Sequence, residues 1–363
     1  MSTPANLHPT GPSPDGLDLQ VLAAYLAGTG ILGPDSVLHG TLISGGKSNL
    51  TYRITDGTSR WILRRPPLGN ILPGAHDVTR EHRVMLALGD TNIPVPRMAA
   101  LCENGDVLGA PFYLMEEVSG LILRAPEDVS QIPEVTRARL GAALVDVLAD
   151  LHEVDFAQVG LNTLGNPEGY LERQLERWVR QYHKIKVREL AYIQPIADSL
   201  ASYLPRGGKP AIVHGDYRLD NLIVSEEDPA HITAVLDWEM ATLGDPLADL
   251  GILIMFWDEP DRPFNPITNG LMAAPGFMSS DAVTNRYINR RNLQIDSMDW
   301  YLVFAKFKLA IILEQIHVRH LRGETRGEGF AGVGDMVTAL LNSAMDNVSK
   351  SPSLGTAKGR FHG

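Results

Sequence analysis

Residues 213–224 read VHGDYRLDNLIV. The run places His214, Asp216, Arg218, Asp220 and Asn221 between apolar segments. Burying such groups without partners costs about 2–7 kcal/mol for a polar group and more for a charge. They therefore need partners or a task. Leu222–Val224 reads as a strand leaving the polar run, a turn follows, and HITAVLDWE (231–239) reads as a strand coming back. That hairpin brings Asp237 towards Asn221. Two carboxylates and an amide are all hard oxygen ligands. Such a set suits Mg²⁺, which is held by one or two carboxylates together with nucleotide phosphates. The bland alternative is a polar loop capping a strand, with no chemistry.

Phosphoryl transfer needs this donor set. One carboxylate accepts the proton of the attacking hydroxyl, while an Asn and an Asp hold the metal. The spacing from Asp216 to Asn221 is that of the kinase loop H-R-D-L-x-x-x-N, which a later D-F-G follows.

Upstream, LDLQVLAAYL (18–27) has helical spacing. HGTLIS (39–44), LTYRI (50–54) and WILRR (61–65) alternate as antiparallel strands, and HDVTREHRVMLALGD (76–90) is again helical. MAALCE and PFYLMEEV supply two more strands. The first third is expected to be a five-stranded sheet with one inserted helix. Beyond Gly120 the texture changes. Residues 135–154, 169–187 and 300–321 read as long helices, and most segments after Asp245 are helical. The expected division is a disordered lead-in (1–17), a nucleotide-binding lobe (18–117), a catalytic and acceptor-binding lobe (118–350) and a loose tail (351–363).

The chain has 363 residues, 44% hydrophobic and 21% charged, with a net charge of −11. That is a globular composition, and the acidic balance disfavours a nucleic-acid partner. No apolar run approaches the roughly 18–20 residues needed to cross a bilayer, and the first residues lack the pattern of a signal peptide. A single cysteine, Cys102, excludes an intrachain disulfide and fits a reducing, cytoplasmic compartment. Gly28-Thr29-Gly30-Ile31-Leu32-Gly33 matches G-x-G-x-x-G. It follows a helix and not a strand, so it reads as a helix end and not as a dinucleotide site.

With HGD-x-x-x-x-N at 214–221 and LDWE at 236–239, the sequence resembles the aminoglycoside phosphotransferase/choline kinase family, which has the protein-kinase-like fold. The resemblance runs from about residue 38 to about residue 320. GGKSNLTYRI, ILRRPP, PFYLMEE and GDPLADLG are similar to the branch fused to acyl-CoA dehydrogenases. It implies an α+β, bilobal fold, with a five-stranded antiparallel sheet plus helix in the small lobe and a mainly helical large lobe. It also implies a catalytic base at Asp216, metal ligands at Asn221 and Asp237, and a loop-bracing role for His214. Arg218 either faces the transferred phosphate or pairs with Asp220. Gly45, Gly46 and Ser48 would lie against the phosphates. Arg64 stands where the wider family has a lysine that holds them, with Glu81 as its partner; Arg65 is the other bearer, but on the opposite face. Met115–Val118, with Glu116 and Val118 at the adenine, would be the hinge. Asp245 and Asp249 are expected to be structural, the latter bracing the catalytic loop.

The implied reaction is Mg²⁺- and ATP-dependent phosphorylation of a hydroxyl on a small metabolite, with GTP as the alternative nucleotide. The implied protein is a monomer or homodimer. The first helix of the acceptor region carries Arg173, Arg177, Arg180 and Lys184, continuing to Lys186 and Arg188; the second carries Lys306, Lys308, His317, Arg319, His320 and Arg322. These are either solvated faces with i,i+4 pairs or a site for an anionic acceptor, such as a hydroxyacyl-CoA or a hydroxy acid. An antibiotic kinase acting on aminoglycosides and a catalytically silent nucleotide-binding module are the competing readings.

Overall fold

The computed structural model describes residues 13–33, 35–44, 49–67, 77–258, 270–325 and 330–354. The chain forms two compact units, one comprising Met1–Ser119 with Ala234–Glu239, the other Gly120–Thr233 with Met240–Gly363.

In the first unit, α1 (Leu19–Gly28) starts at Asp18, whose carboxylate accepts from the amides of Gln20 and Val21 at 3.0 and 3.1 Å. This is the exchange that favours Asp at an N-cap. The helix ends at Gly30, in the left-handed region at φ +77°, with its amide on the Ala27 carbonyl. The glycine triplet is therefore a helix terminus. Strands β1 (His39–Ser44), β2 (Leu50–Thr55) and β3 (Arg60–Arg65), the helix α2 (Val78–Leu88), and strands β4 (Met98–Cys102) and β5 (Phe112–Glu116) follow. The antiparallel sheet has the order β1-β2-β3-β5-β4. Period-two alternation places Tyr52, Ile54, Trp61 and Leu63 against Leu19, Leu22 and Leu26 of α1 in one apolar core, with Cys102 buried beside them. The five-stranded sheet with an inserted helix is the one the alternation predicts.

The second unit is mainly helical. It contains α3 (Pro126–Ser130), α4 (Glu134–Glu153), α5 (Tyr170–Ile185) and α6 (Ile193–Ser202), then the short strands β6 (Ala211–Val213), β7 (Leu222–Val224), β8 (Ile232–Val235) and β9 (Thr242–Gly244). The last two residues of β8 belong to the first unit. Helices α7 (Leu247–Met255), α8 (Ser280–Arg291), α9 (Asp299–Leu321) and α10 (Val333–Lys350) complete it. In α4 the residues Leu140, Leu144, Leu148 and Leu151 line a buried stripe, and in α5 Leu171, Leu175, Trp178 and Tyr182 do the same. Helix α9 is buried on several faces, from Trp300 and Phe304 to Ile311 and Glu314. Leu17 and Leu354, within the segments expected to be a lead-in and a tail, are buried at 3% and 1% exposure.

One strand differs from the expected one. The strand read over 231–239 stops at Val235. Asp237 takes φ +65°, and Trp238–Met240 form a 3₁₀ turn. The reason is the buried Trp238, whose indole N–H donates to the Val235 carbonyl at 2.9 Å and folds the chain back. β6 and β9 pair antiparallel, with Val213 opposite Thr242. That pairing sets His214, which follows β6, beside the segment that starts α7.

Candidate active site

The loop after β6 is held from beneath by one carboxylate. Asp249, fully buried on α7, accepts from the amide of His214 at 2.5 Å and from that of Gly215 at 2.8 Å. His152 of α4 lies 3.3 Å from the same carboxylate through Nε2 and 2.6 Å from the Tyr287 hydroxyl through Nδ1. Burial pushes the Asp249 carboxyl up, but His152, His214 and the Gly215 amide outweigh it and hold the group below the usual range. Burial pushes His152 down, against the pull of Asp249. Each group of the pair is thus harder to protonate than its free counterpart. His214 is itself buried, and its Nδ1 accepts from the Asp216 amide at 3.2 Å. Its contacts brace the loop.

Gly215 sits at φ +86°, and a Cβ there would lie 2.9 Å from Met240. Only glycine fits. Asp216, next in the chain, keeps 29% of its side chain exposed. Its Oδ2 accepts from Asn221 Nδ2 at 3.0 Å and from Arg218 Nε at 3.2 Å. The Asn221 amide nitrogen also bonds the Asp216 carbonyl at 2.9 Å, which leaves Oδ1 as the Asn221 atom able to ligate a cation. Arg218 continues to Asp220, at 2.5 Å, and lies over the Phe256 ring at 5.0 Å from its centre. Burial pushes the Asp220 carboxyl up, and Arg218 pulls it back. Arg218 thus pairs with both Asp220 and Asp216.

Lys308, on α9, also reaches this loop. Its ammonium donates to the Gly215 carbonyl at 2.7 Å and lies 5.9 Å from the centre of the Trp178 ring. Sequence reasoning placed Lys308 in a cationic stretch but not at the loop. The available signal was a pair of lysines, Lys306 and Lys308, inside an otherwise apolar run, FAKFKLAIIL (304–313). Beside Arg218 opens a cavity whose walls are mostly apolar, including Leu144, Leu253, Phe256 and Trp257, with Asp220 and Arg124 also contributing.

In the first unit the structure brings together Arg64, Glu81 and Asp237. Arg64 Nη1 bonds Glu81 Oε1, and Nη2 reaches Asp237 Oδ1 at 3.4 Å. Glu81, on the inner face of α2, is fully buried. Burial pushes its carboxyl up to about 7, and Arg64 opposes that shift. Burial also works against the Arg64 charge, but its neighbours, Glu81 and Asp237 among them, more than offset the effect and strengthen the guanidinium. Arg65 points to other partners, the carbonyls of Gly16 and Leu108. Asp237 at φ +65° directly precedes the 3₁₀ turn Trp238–Met240, while Asn292 caps α8 at φ +47°. Held left-handed conformations of this kind cluster at functional sites. Glu116 ends β5 with its amide on the Arg97 carbonyl, and Val118 follows just before the unit boundary at Ser119. Gly45, Gly46 and Ser48 lie outside the described residues.

Asn221 and Asp237 each offer an oxygen of the hard type that Mg²⁺ takes. Among the described residues no cluster of three or more His, Cys, Asp and Glu side chains forms a metal cage. No described helix is long and apolar enough to cross a membrane.

Comparison with known proteins agrees with the geometry. Residues 39–269 match the model of the phosphotransferase enzyme family. The chain is 33% identical over 330 residues to acyl-CoA dehydrogenase family member 10 of Mus musculus, and 31% identical over 339 residues to family member 11 of Rattus norvegicus. Each match covers 90% of this chain but only 30% and 43% of those relatives. A solved structure from Ralstonia eutropha JMP134, provisionally described as an aminoglycoside phosphotransferase, superposes with a TM-score of 0.78 at 31% identity, over 91% of this chain and 98% of that one. A mutant aminoglycoside phosphotransferase in complex with ADP and hygromycin B gives a TM-score of 0.59 at 14% identity, over 89% of this chain and 98% of that one, and so shares the fold. The kinase-like α+β fold expected from the loop motif is the fold observed.

Proposed function

This chain belongs to the phosphotransferase enzyme family, and on that premise we propose that it is a small-molecule kinase, transferring the γ-phosphoryl group of ATP to a hydroxyl of a metabolite. The observation that carries the reading is the partly exposed Asp216 carboxylate, oriented by Asn221 and Arg218 on a loop that Asp249 clamps. Asp216 accepts the proton of the acceptor hydroxyl as that oxygen bonds to phosphorus and the bond to ADP breaks. Arg218 holds the base in place. Arg64, kept charged by Glu81, is assigned to the nucleotide phosphates, with Gly45, Gly46, Ser48, Glu116 and Val118 completing nucleotide contacts. Asn221 and Asp237 are each assigned to Mg²⁺, which offsets phosphate charge when bound. GTP is the alternative donor, since a neighbour of the same fold was solved with GDP.

For the acceptor, the apolar walls of the cavity beside Arg218 favour a hydroxy acid or hydroxyacyl thioester over a polycation. The acyl-CoA dehydrogenase names of the relatives point the same way. The aminoglycoside reading rests on the antibiotic complex among the neighbours. Calorimetric titration with Mg·ATP and then Mg·GTP tests the proposal. Saturable binding that is lost on chelating the metal supports it. No binding at millimolar nucleotide would favour a silent module.

A further inference from the structure

The cations of α5 and α9 are not alike. Most have partners. Arg180 pairs with Glu176 at 3.0 Å, Lys186 with Glu189, and Arg188 with the fully buried Glu314 at 2.6 Å. Lys306 donates to Ser343 and Asn347, and Arg173 to the Asn166 carbonyl. Two residues stand apart. Arg177 and Lys308 approach the same indole, Trp178, with their charged groups 5.4 and 5.9 Å from its ring centre. Among the described residues, neither has a carboxylate within 4.0 Å, and the hydrogen bond recorded for Lys308 is the one to Gly215.

That arrangement is costly as it stands. Lys308 is partly buried, and burial pushes its ammonium below the ordinary value. Asp216 and Asp249 pull the other way, while Arg177 adds repulsion. Two like charges face one ring, one of them partly buried, and an anion beside them would offset their repulsion. A second observation points to the same place. Trp178 is 6% exposed, and its indole nitrogen, a donor, is buried with no acceptor among the described residues. Buried donors are nearly always satisfied, and an oxyanion beside this ring would supply the missing acceptor.

We propose that Arg177, Trp178 and Lys308 form a subsite for an oxyanion of the acceptor, next to the Asp216 loop. The proposal rests on the kinase reading for its role but not for its binding. Through its bond to Gly215, Lys308 ties the bound anion to the residue that precedes the base. The acceptor then carries an anionic group as well as the hydroxyl.

The test is calorimetric titration of the full chain without nucleotide, using acetate, inorganic phosphate, 3-hydroxybutyrate and the amide of 3-hydroxybutyrate. We expect saturable binding of at least one anion, none of the amide, and a loss of at least tenfold in affinity in both Lys308→Met and Arg177→Met. Lys308→Arg should keep binding within about threefold. Arg177 is exposed, so Arg177→Met reports even if Lys308→Met unfolds. Acetate or 3-hydroxybutyrate as the tighter ligand assigns the subsite to a carboxylate, and phosphate to a phosphoryl group. No anion binding, or binding unchanged in Arg177→Met, would overturn the subsite. Mg·ATP titration of the same preparation separates this from failure of the kinase reading, because nucleotide can bind while the anion does not.

Discussion

Replacing Asp249 should cost more stability than any other single change in the loop's foundation. Its carboxylate is fully buried and accepts two successive backbone amides, from His214 and Gly215, while contacting His152. Asp249→Ala strands both amides. A buried donor left without a partner costs about 1–3 kcal/mol, so two cost about 2–6 kcal/mol. Asp249→Asn keeps one carbonyl oxygen but turns an NH₂ towards the second amide, so it should lose about 1–3 kcal/mol. Urea denaturation at neutral pH, followed by tryptophan fluorescence and circular dichroism, gives both values, provided the slopes match the parent. Amide exchange at His214 and Gly215 should quicken in both variants. If both denature within about 0.5 kcal/mol of the parent, the range of an ordinary surface substitution, Asp249 is not the clamp described here.

Three further outcomes follow from the geometry. Gly215→Ala combines a left-handed residue with a contact of 2.9 Å to Met240; a loss of about 1–3 kcal/mol is expected, and an unchanged denaturation midpoint would contradict it. Arg64→Met leaves the buried Glu81 without its partner and should cost about 3–5 kcal/mol, read by the same denaturation; a loss under about 1 kcal/mol would show that the pair is not needed. The native state makes His152 harder to protonate, so below about pH 6.5 the unfolded chain binds more protons and stability falls as the pH falls. Asp249, held below its usual range, adds to that loss at lower pH. Glu81 works in the opposite sense, since its native value of about 7 lies above the unfolded one, so the readout is the parent minus His152→Asn. That difference should shrink between pH 7.5 and 5.5, and a constant difference would refute the assignment.

The local patterns were legible because they are local. Alternation in residues 50–54 and 61–65 announced the strands, whose Tyr52, Ile54 and Leu63 the structure buries in the core, and Arg64 and Arg65 face different partners. The Asp216–Asn221 spacing gave the loop its character, and Asp249 was expected to brace it. What the sequence hid depends on distant chain meeting in space. Lys308 bonds a carbonyl 93 positions away, and nothing near either residue announces the other. The early end of β8 depends on where Trp238 finds burial, a tertiary matter that strand propensity does not encode. The cationic faces of α5 and α9 looked uniform in sequence: the local pair of Arg180 with Glu176 is legible from its spacing, whereas that of Arg188 with Glu314 joins residues 126 positions apart.

The most direct measurement is transfer of labelled γ-phosphate from Mg·ATP to a panel of hydroxy acids and hydroxyacyl-CoA esters, by the parent and by Asp216→Asn. The account predicts metal-dependent labelling of at least one acceptor by the parent. It also predicts a fall of about 10²–10⁴-fold in turnover for the variant, with Mg·ATP affinity retained. Equal labelling by Asp216→Asn, or labelling of proteins in preference to small hydroxylated compounds, would contradict it.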